Sequence, residues 1–335
     1  MKLLIADKFE QQGIRGFEHC GCDVEVKLGL QGAKLAEAVL ASDPEILVVR
    51  STKITDEILN AGPRLRLVIR AGSGFDTIDV PAATQRGIRV CNCPGMNSVA
   101  VAELTLGLII ALDRRIVDET DDLRRGVWNK KKYAAARGLK GRTLGIIGLG
   151  RIGVEVARRA AAFEMNLLYH DVAAQPKLEK ELGIRRVTLE ELLRTSDFVT
   201  LHVPGCADTT HLIGEKELRW MKSTAFILNC SRGGVVDEPA LADALQGGRL
   251  AGAALDVYEV EPAATSDRFA DPIGAIPNLY GTHHVGASTE QAQLAVAEEA
   301  VQIVQRYLES GEFLHCVNPQ ASKKSETKQL TGAQA

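Results

Sequence analysis

The apolar positions of this chain fall into short runs, and between the runs they recur at helical spacing. Over residues 1–93 the runs are Leu3–Ala6, Val24–Lys27, Ile46–Arg50, Leu67–Arg70 and Arg89–Cys91. Each is short and flanked by turn residues, the pattern of buried strands. Helical periodicity fills the gaps near Phe9–Glu18, Ala33–Ala41, Thr55–Ala61 and Pro81–Arg86. This alternation predicts a parallel sheet with helices on both faces. Asn92-Cys93-Pro94-Gly95 breaks the pattern and reads as a hinge. Ser98 precedes a long apolar helix, Val99–Ala111, which a polar helix from Asp113 to Arg125 is expected to continue. The charged residues crowding that second part fit a solvated face or a dimer contact.

A second series follows. It opens with a stretch, Thr143 to Asp171, that reads TLGIIGLGRIG, VEVARRAAAFEM, NLLYHD. An apolar run leads into Gly148, Gly150 and Gly153 in GxGxxG spacing; Val154, Val156, Ala157, Ala160 and Ala161 then recur as on a helix. A second apolar run, Leu167–Tyr169, ends at Asp171. In such a strand–turn–helix unit the glycines allow a tight turn, close approach of a pyrophosphate, and packing of helix on strand. The helix N-terminus offers N–H groups and a positive dipole end to phosphate. Asp171 lies 18 residues past Gly153, near the distance expected of the carboxylate that holds a ribose 2′-hydroxyl. A dinucleotide site is the reading, with a glycine turn of packing value alone as the plainer one. A carboxylate repels the 2′-phosphate of NADP, and Val172 supplies no cation, so NAD is the expected cofactor.

Further strands are expected at Arg185–Val187, Asp197–Val203, Ala225–Cys230 and Ala251–Val257, with helices near Leu189–Arg194, Glu215–Met221 and Pro239–Gln246. The last helix, Glu290–Leu308, comes too late to extend this series and is expected to return to the first domain. The fold class is therefore α/β: two doubly wound parallel-sheet domains, a Rossmann NAD-binding domain (94–285) inserted into a flavodoxin-like substrate domain (1–93 with 286–318). The polar tail 319–335 is expected to be disordered.

Composition narrows the function. The chain has 335 residues and a net charge of −3, which carries no nucleic-acid footprint. The opening MKLLIADKF is too short an apolar run for a signal peptide. The longest apolar run, Leu104–Leu112, stops at Asp113, short of a bilayer span. Seven cysteines without a CxxC pair argue for reduced thiols in a cytoplasmic protein and against a metal site.

In open α/β sheets, ligands bind beyond the carboxyl ends of the strands. Arg50 ends ILVVR; Arg70 ends LVIR, before Ala71-Gly72-Ser73-Gly74. Cys230-Ser231-Arg232 follows AFILN, Asp256 ends GAALD, with Glu259 and Glu261 beyond it, and His283-His284 end NLYGT. Singly, each has a plainer reading: an arginine as a solvated cap, Asp256 as a turn cap, Glu261 as surface, a histidine bonded to a carbonyl. Gathered at one cleft beside a dinucleotide fold, they fit hydride transfer at a secondary alcohol. Histidine is suited to the hydroxyl proton near neutral pH. Arginine is suited to a carboxylate or carbonyl oxygen.

At these residues the chain resembles the D-2-hydroxyacid dehydrogenase family, over about residues 3 to 318. The motifs are GLGRIG with Asp171, NCSRGGVVDEPAL, GAALDVYEVEP and HHVGAST. The resemblance implies that Arg232 binds the substrate carboxylate and carbonyl, that Glu261 pairs with the histidine, and that His284 is the acid/base. It implies a cofactor lined by Gly148, Gly150, Arg151, Ile152, Gly153, Asp171, Cys230, Ser231, Arg232, Asp256, His284, Gly286 and Ala287. His283 stands where the family commonly has proline. Within the family, VVRST, IRAGSGFDTID, NSVAVAEL and GVWNKKKY are similar to segments of the branch that oxidises 3-phospho-D-glycerate to 3-phosphohydroxypyruvate, the first step of serine biosynthesis. That likeness implies substrate contacts from Arg50, Arg70, Ser73, Gly74, Asn97, Lys131, Arg232 and His284, and a homodimer through the NAD-binding domain. Many members of that branch carry a serine-sensing domain, for which too little chain follows the last helix, so no serine feedback is expected.

The leading expectation is thus an NAD-dependent dehydrogenase of a phosphorylated 2-hydroxy acid. A glyoxylate or hydroxypyruvate reductase is the alternative, against which Arg50, Arg70 and Lys130–Lys132 argue. A corepressor that senses NAD is the alternative from another class; the balanced charge and the basic residues argue against it.

Overall fold

Five short apolar runs of the first ninety residues pair side by side, all parallel, in the order β2-β1-β3-β4-β5. They are β1 (Lys2–Ile5), β2 (Asp23–Val26), β3 (Ile46–Val49), β4 (Leu67–Arg70) and β5 (Arg89–Asn92). The computed structural model describes residues 1–262, 268–269 and 271–321; from residue 322 the expected polar tail lies outside the described residues. The described chain divides into two compact units, one of residues 1–97 with 290–321, the other Ser98–Thr289.

In the first unit the strand order is that of flavodoxin-like sheets. Ile46, Leu47, Val48 and Val49 are all buried, as a strand covered on both faces requires. Alternate strand residues feed two cores. Leu4, Leu47, Val49, Val68 and Val90 pack with Leu35, Val39 and Ile58; Leu3, Ile5, Val48 and Ile69 pack with Phe17, Ala300, Ile303 and Val304. The last three lie on the helix Glu290–Ser310, whose apolar face explains why it docks here.

The second unit holds β6 (Thr143–Ile147), β7 (Asn166–His170), β8 (Arg185–Arg186), β9 (Phe198–Leu201), β10 (Phe226–Asn229), β11 (Gly252–Leu255) and β12 (Leu279–Gly281). All are parallel, in the order β12-β11-β10-β9-β6-β7-β8. The order reverses direction at β6, which makes the gap beyond β6 and β9 the topological switch point of a Rossmann sheet.

One expectation needs correction. The helix of Ser98–Arg114 does not run on to Arg125: Arg115 adopts a left-handed backbone (φ 55°), and a separate helix spans Ile116–Arg124. The apolar stripe that holds the first helix ends at Leu112, so nothing compels the charged stretch to keep its axis. Arg115 instead turns its guanidinium onto Asp118 at 2.6 Å. The short helices Pro176–Leu182 and Lys130–Tyr133 carry too little apolar periodicity to be read from sequence. Among the described residues no helix is long and apolar enough to cross a membrane.

Candidate active site

The glycine turn sits at the switch point. Gly148 has φ +90°, and a Cβ there would meet the His202 carbonyl oxygen at 2.7 Å. A Cβ on Gly153 would lie 2.2 Å from the Gly148 carbonyl oxygen, so helix and turn can pack only through hydrogen. Gly150 is different: a Cβ there meets nothing within 4 Å. It is the N-cap of the helix Arg151–Ala162 and no side chain caps that end. A concave turn walled by glycine, with an uncapped N-terminus behind it, fits a pyrophosphate. Asp171 directly follows β7 and accepts the Leu149 N–H at 2.7 Å and the Ala173 N–H at 3.0 Å. Its carboxylate therefore ties the glycine turn to the neighbouring strand end. Sequence reasoning found no cation here, yet Arg186 on β8 donates to the carbonyls of Asp171 (2.8 Å) and Val172 (3.1 Å). Strand pairing brings it in, which chain order alone does not reveal.

At the other strand ends of this unit a second group assembles. His284 Nδ1 and Glu261 Oε2 are 2.9 Å apart. His284 itself is held in a left-handed backbone, φ 52°, a conformation that costs free energy and persists only where the surroundings enforce it. Asp256 does the enforcing. One of its oxygens accepts from Thr282 Oγ1 (2.6 Å) and the Val285 N–H (2.9 Å), the other from the Gly286 N–H (2.9 Å). Tyr258 adds a hydroxyl bond to the Thr282 carbonyl at 3.1 Å. The histidine side chain remains about half exposed.

Charges around the pair shift both members. The hydrogen bond to Glu261 raises the His284 imidazole above its ordinary range; burial and Arg232 oppose this, and the negative charges of Glu261 and Asp256 assist it. Burial pushes the Glu261 carboxyl up, but the His284 bond and charge, the Tyr258 N–H and Arg232 outweigh it and hold the group below its ordinary value.

Asn229 shapes the turn that carries Arg232. Its side-chain oxygen accepts the Ser231 N–H (3.0 Å) and Oγ (2.7 Å), and its amide donates to the Arg232 carbonyl (2.9 Å). Cys230 is buried beside them. Glu259 is engaged elsewhere: it accepts from His211 Nε2 at 3.0 Å and from the Glu238 N–H at 3.2 Å. The Glu259 N–H in turn donates to Glu238 Oε1 at 2.7 Å. Sequence reasoning assigned no role to Asn229, Thr282 or Glu238.

In the first unit, β3 and β4 pair with Val49 opposite Arg70, so Arg50 and Arg70 stand at neighbouring strand ends. Asp7 accepts the N–H groups of Arg50 (2.6 Å), Ser51 (3.0 Å) and Thr52 (3.0 Å), which fixes the turn. Arg50 Nη1 donates to Gln293 at 3.2 Å. Ser73 donates to Asn97 at 2.5 Å and its carbonyl accepts from Asn92, so those two predicted substrate residues are joined, with Gly74 next in the same loop. Among the lysines, Lys132 is held by Asp122 at 2.9 Å; Lys130 and Lys131 are exposed.

Comparison with known proteins bears on these groups. Residues 106–286 match the NAD binding domain of the D-isomer specific 2-hydroxyacid dehydrogenases. The chain is 42% identical over 310 residues to a D-3-phosphoglycerate dehydrogenase of Methanocaldococcus jannaschii, covering 92% of this chain and 57% of that one. It is 43% identical over 259 residues to a hydroxypyruvate reductase of Thermotoga maritima, covering 77% of this chain and 83% of that one. Among solved structures, the TT0316 protein of Thermus thermophilus superposes with a TM-score of 0.85 at 34% identity, over 95% of this chain and all of that one. The chain belongs to the D-2-hydroxyacid dehydrogenase family, with a Rossmann domain for NAD. It spans little more than half the length of the phosphoglycerate dehydrogenases it matches.

Proposed function

We propose that this protein oxidises a D-2-hydroxy acid with NAD, and that the acid is 3-phospho-D-glycerate, giving 3-phosphohydroxypyruvate. The single observation that carries the dehydrogenase reading is the 2.9 Å contact between His284 Nδ1 and Glu261 Oε2. That contact fixes the tautomer and ring, leaving Nε2 to accept the substrate hydroxyl proton in oxidation and to return it in reduction. Arg232 binds the substrate carboxylate and carbonyl with its forked donors. Gly148, Gly150, Arg151, Ile152, Gly153 and Asp171 hold NAD, which when bound supplies the hydride acceptor; Cys230, Ser231, Gly286 and Ala287 line it. Asp256 acts by holding the 282–286 loop.

The phosphate preference rests on Arg50 and Arg70 at adjacent strand ends, with Ser73, Gly74, Asn97 and Lys131 completing the substrate contacts and Lys131 reaching from a second subunit of a homodimer. A reductase of glyoxylate or hydroxypyruvate is the second reading, favoured by relatives matched over most of their own length. Steady-state kcat/KM for 3-phosphoglycerate, D-glycerate and D-lactate with NAD, and for glyoxylate and hydroxypyruvate with NADH, separates the two. A higher value for phosphoglycerate than for the unphosphorylated acids supports the first. Preference for glyoxylate or hydroxypyruvate replaces it with the second.

A further inference from the structure

Beyond the helix Glu290–Ser310 the chain turns back along β5, the edge strand of the five-stranded sheet. Cys316 pairs with Cys91 in an antiparallel bridge. The flanking bonds give its type: Asn92 N–H donates to the His315 carbonyl (3.4 Å), and Val317 N–H donates to the Val90 carbonyl (2.9 Å). Both bonds lie outside the cysteine pair, so Cys91 and Cys316 occupy a non-hydrogen-bonded position. There facing Cα atoms approach to about 4.5 Å and side chains are closest. A disulfide needs Cα atoms roughly 4.4–6.8 Å apart, a range that the typical separation at such a position satisfies.

Neighbouring groups prepare the pair for this chemistry. The Cys91 thiol beside it lowers the Cys316 thiol to about 6 despite partial burial, with Asn318 and Arg89 assisting, and Cys316 Sγ lies 3.5 Å from Asn318 Oδ1. The Arg89 guanidinium is anchored beside it on the Asn318 carbonyl at 3.2 Å. Cys91 is fully buried while Cys316 is partly exposed. Cys316 is thus the partly accessible sulfur with the lowered thiol and Cys91 the buried sulfur with the raised one, the arrangement of an attacking and a resolving cysteine.

We propose that Cys91 and Cys316 form a redox-modification site, a reversible disulfide that staples the C-terminal segment to the edge of the first unit's sheet. The oxidant is a peroxide. The Cys316 thiolate attacks a peroxide oxygen; an S–O bond forms, the O–O bond breaks, and the departing hydroxide takes a proton to become water. The Cys91 sulfur then attacks the sulfenic sulfur; the S–S bond forms, the S–O bond breaks, and the Cys91 proton leaves with the hydroxyl as a second water. Two electrons pass from the sulfurs to the peroxide, and a dithiol returns them. The segment being stapled is already seated. Asn318 is buried, accepts the Val90 N–H at 2.8 Å, and donates to the Ile88 carbonyl at 2.9 Å. The covalent link closes a very long loop in the unfolded chain, which favours the folded unit.

The test treats the full chain with hydrogen peroxide, then counts thiols in denaturant and maps linked peptides. Two of the seven thiols should disappear, a Cys91–Cys316 peptide should form within one chain, and dithiothreitol should restore both thiols. The oxidised protein should unfold at a higher urea midpoint than the reduced one. Cys91→Ser and Cys316→Ser should each abolish the linked peptide, while Cys206→Ser, at an exposed thiol elsewhere, should leave it unchanged. The proposal fails if Cys316 accumulates oxygen while Cys91 stays reduced, if the link joins other cysteines or two chains, or if the linked protein unfolds more readily.

Discussion

Glu261 Oε2 lies 2.9 Å from His284 Nδ1, and the two groups shift each other in opposite directions, the imidazole up and the carboxyl down. Each therefore favours the charged form of the other. Under the proposed reaction, oxidation needs the neutral imidazole and reduction the protonated one. Oxidation should rise with pH through a midpoint above the ordinary histidine value, and reduction should fall across the same midpoint. Glu261→Gln removes the charge that raises His284, so both profiles should move to lower pH. His284→Asn should lose about 100- to 10,000-fold in kcat, the usual range for a general acid–base, and keep NADH binding by fluorescence. His283→Asn should retain near-normal kcat. The opposite pattern between the two histidine variants moves the proton to His283.

Glu238 yields a stability prediction. It is buried, and burial pushes its carboxyl up to about 7; the Glu259 N–H opposes this, while the charges of Glu259, Asp271 and Glu261 add to it. A carboxyl raised on folding binds more protons in the native than in the unfolded state. Its contribution to stability is therefore fully present below the ordinary glutamate value and is lost as pH rises toward 7. His211, beside Glu259 at 3.0 Å, is kept unchanged in the comparison. Glu238→Gln retains an acceptor for the Glu259 N–H but does not ionise. Its Tm, measured from pH 5 to 8, should fall less with rising pH than that of the unmutated protein. Parallel curves would show that Glu238 does not titrate in this range.

Periodicity in the sequence reports which side chains are buried, and for parallel strands that is most of what fixes the fold. Runs such as ILVV at 46–49 and the GLGRIG turn were legible because a short apolar run and a glycine triplet have few structural meanings. Periodicity does not report which backbone N–H a distant carboxylate will meet. Asp256 and the 282–286 loop are some thirty residues apart in chain order and adjacent only because β11 and β12 pair. Arg186 reaches Asp171 for the same reason, through the pairing of β7 and β8. Cys91 and Cys316 meet although the whole second unit lies between them in chain order. The break at Arg115 was hidden because a charged stretch is compatible with a helix on either axis.

Cofactor choice depends on that missed arginine. In the proposed NAD site Asp171 opposes a 2′-phosphate; its carboxylate also holds the glycine turn through Leu149. Arg186 stands behind it on two carbonyls. NAD should be used with a much higher kcat/KM than NADP. Asp171→Asn keeps an acceptor for Leu149 and removes the charge, which should narrow the ratio by raising NADP use. Asp171→Asn combined with Arg186→Ala should lose that gain, since the arginine is then absent from the site where it can meet a phosphate. Equal use of the two cofactors by the unmutated protein overturns the role given to Asp171.

The proposed phosphate preference rests on two strand ends. Val49 is paired with Arg70, so Arg50 and Arg70 leave the carboxyl edge of the sheet side by side, where ligands of such sheets bind. Asp7 holds the turn at Arg50 through three backbone N–H groups, and the guanidinium rests on Gln293, an amide that leaves its charge uncompensated by that contact. A dianionic phosphate offers several acceptor oxygens to such forked donors. One charge-assisted hydrogen bond contributes about 1.5–3 kcal/mol. Arg50→Ala or Arg70→Ala should therefore lower kcat/KM for 3-phosphoglycerate by roughly 10- to 100-fold on the same magnitude. Turnover of D-glycerate and D-lactate should change little in either variant, because those acids carry no phosphate to lose. Gln293→Leu frees the Arg50 guanidinium from one hydrogen bond and should change phosphoglycerate turnover far less than loss of the arginine itself. If both arginine variants lose phosphorylated and unphosphorylated acids in equal proportion, these residues serve the fold or the common carboxylate, and the phosphate reading gives way to that of a general 2-hydroxyacid reductase.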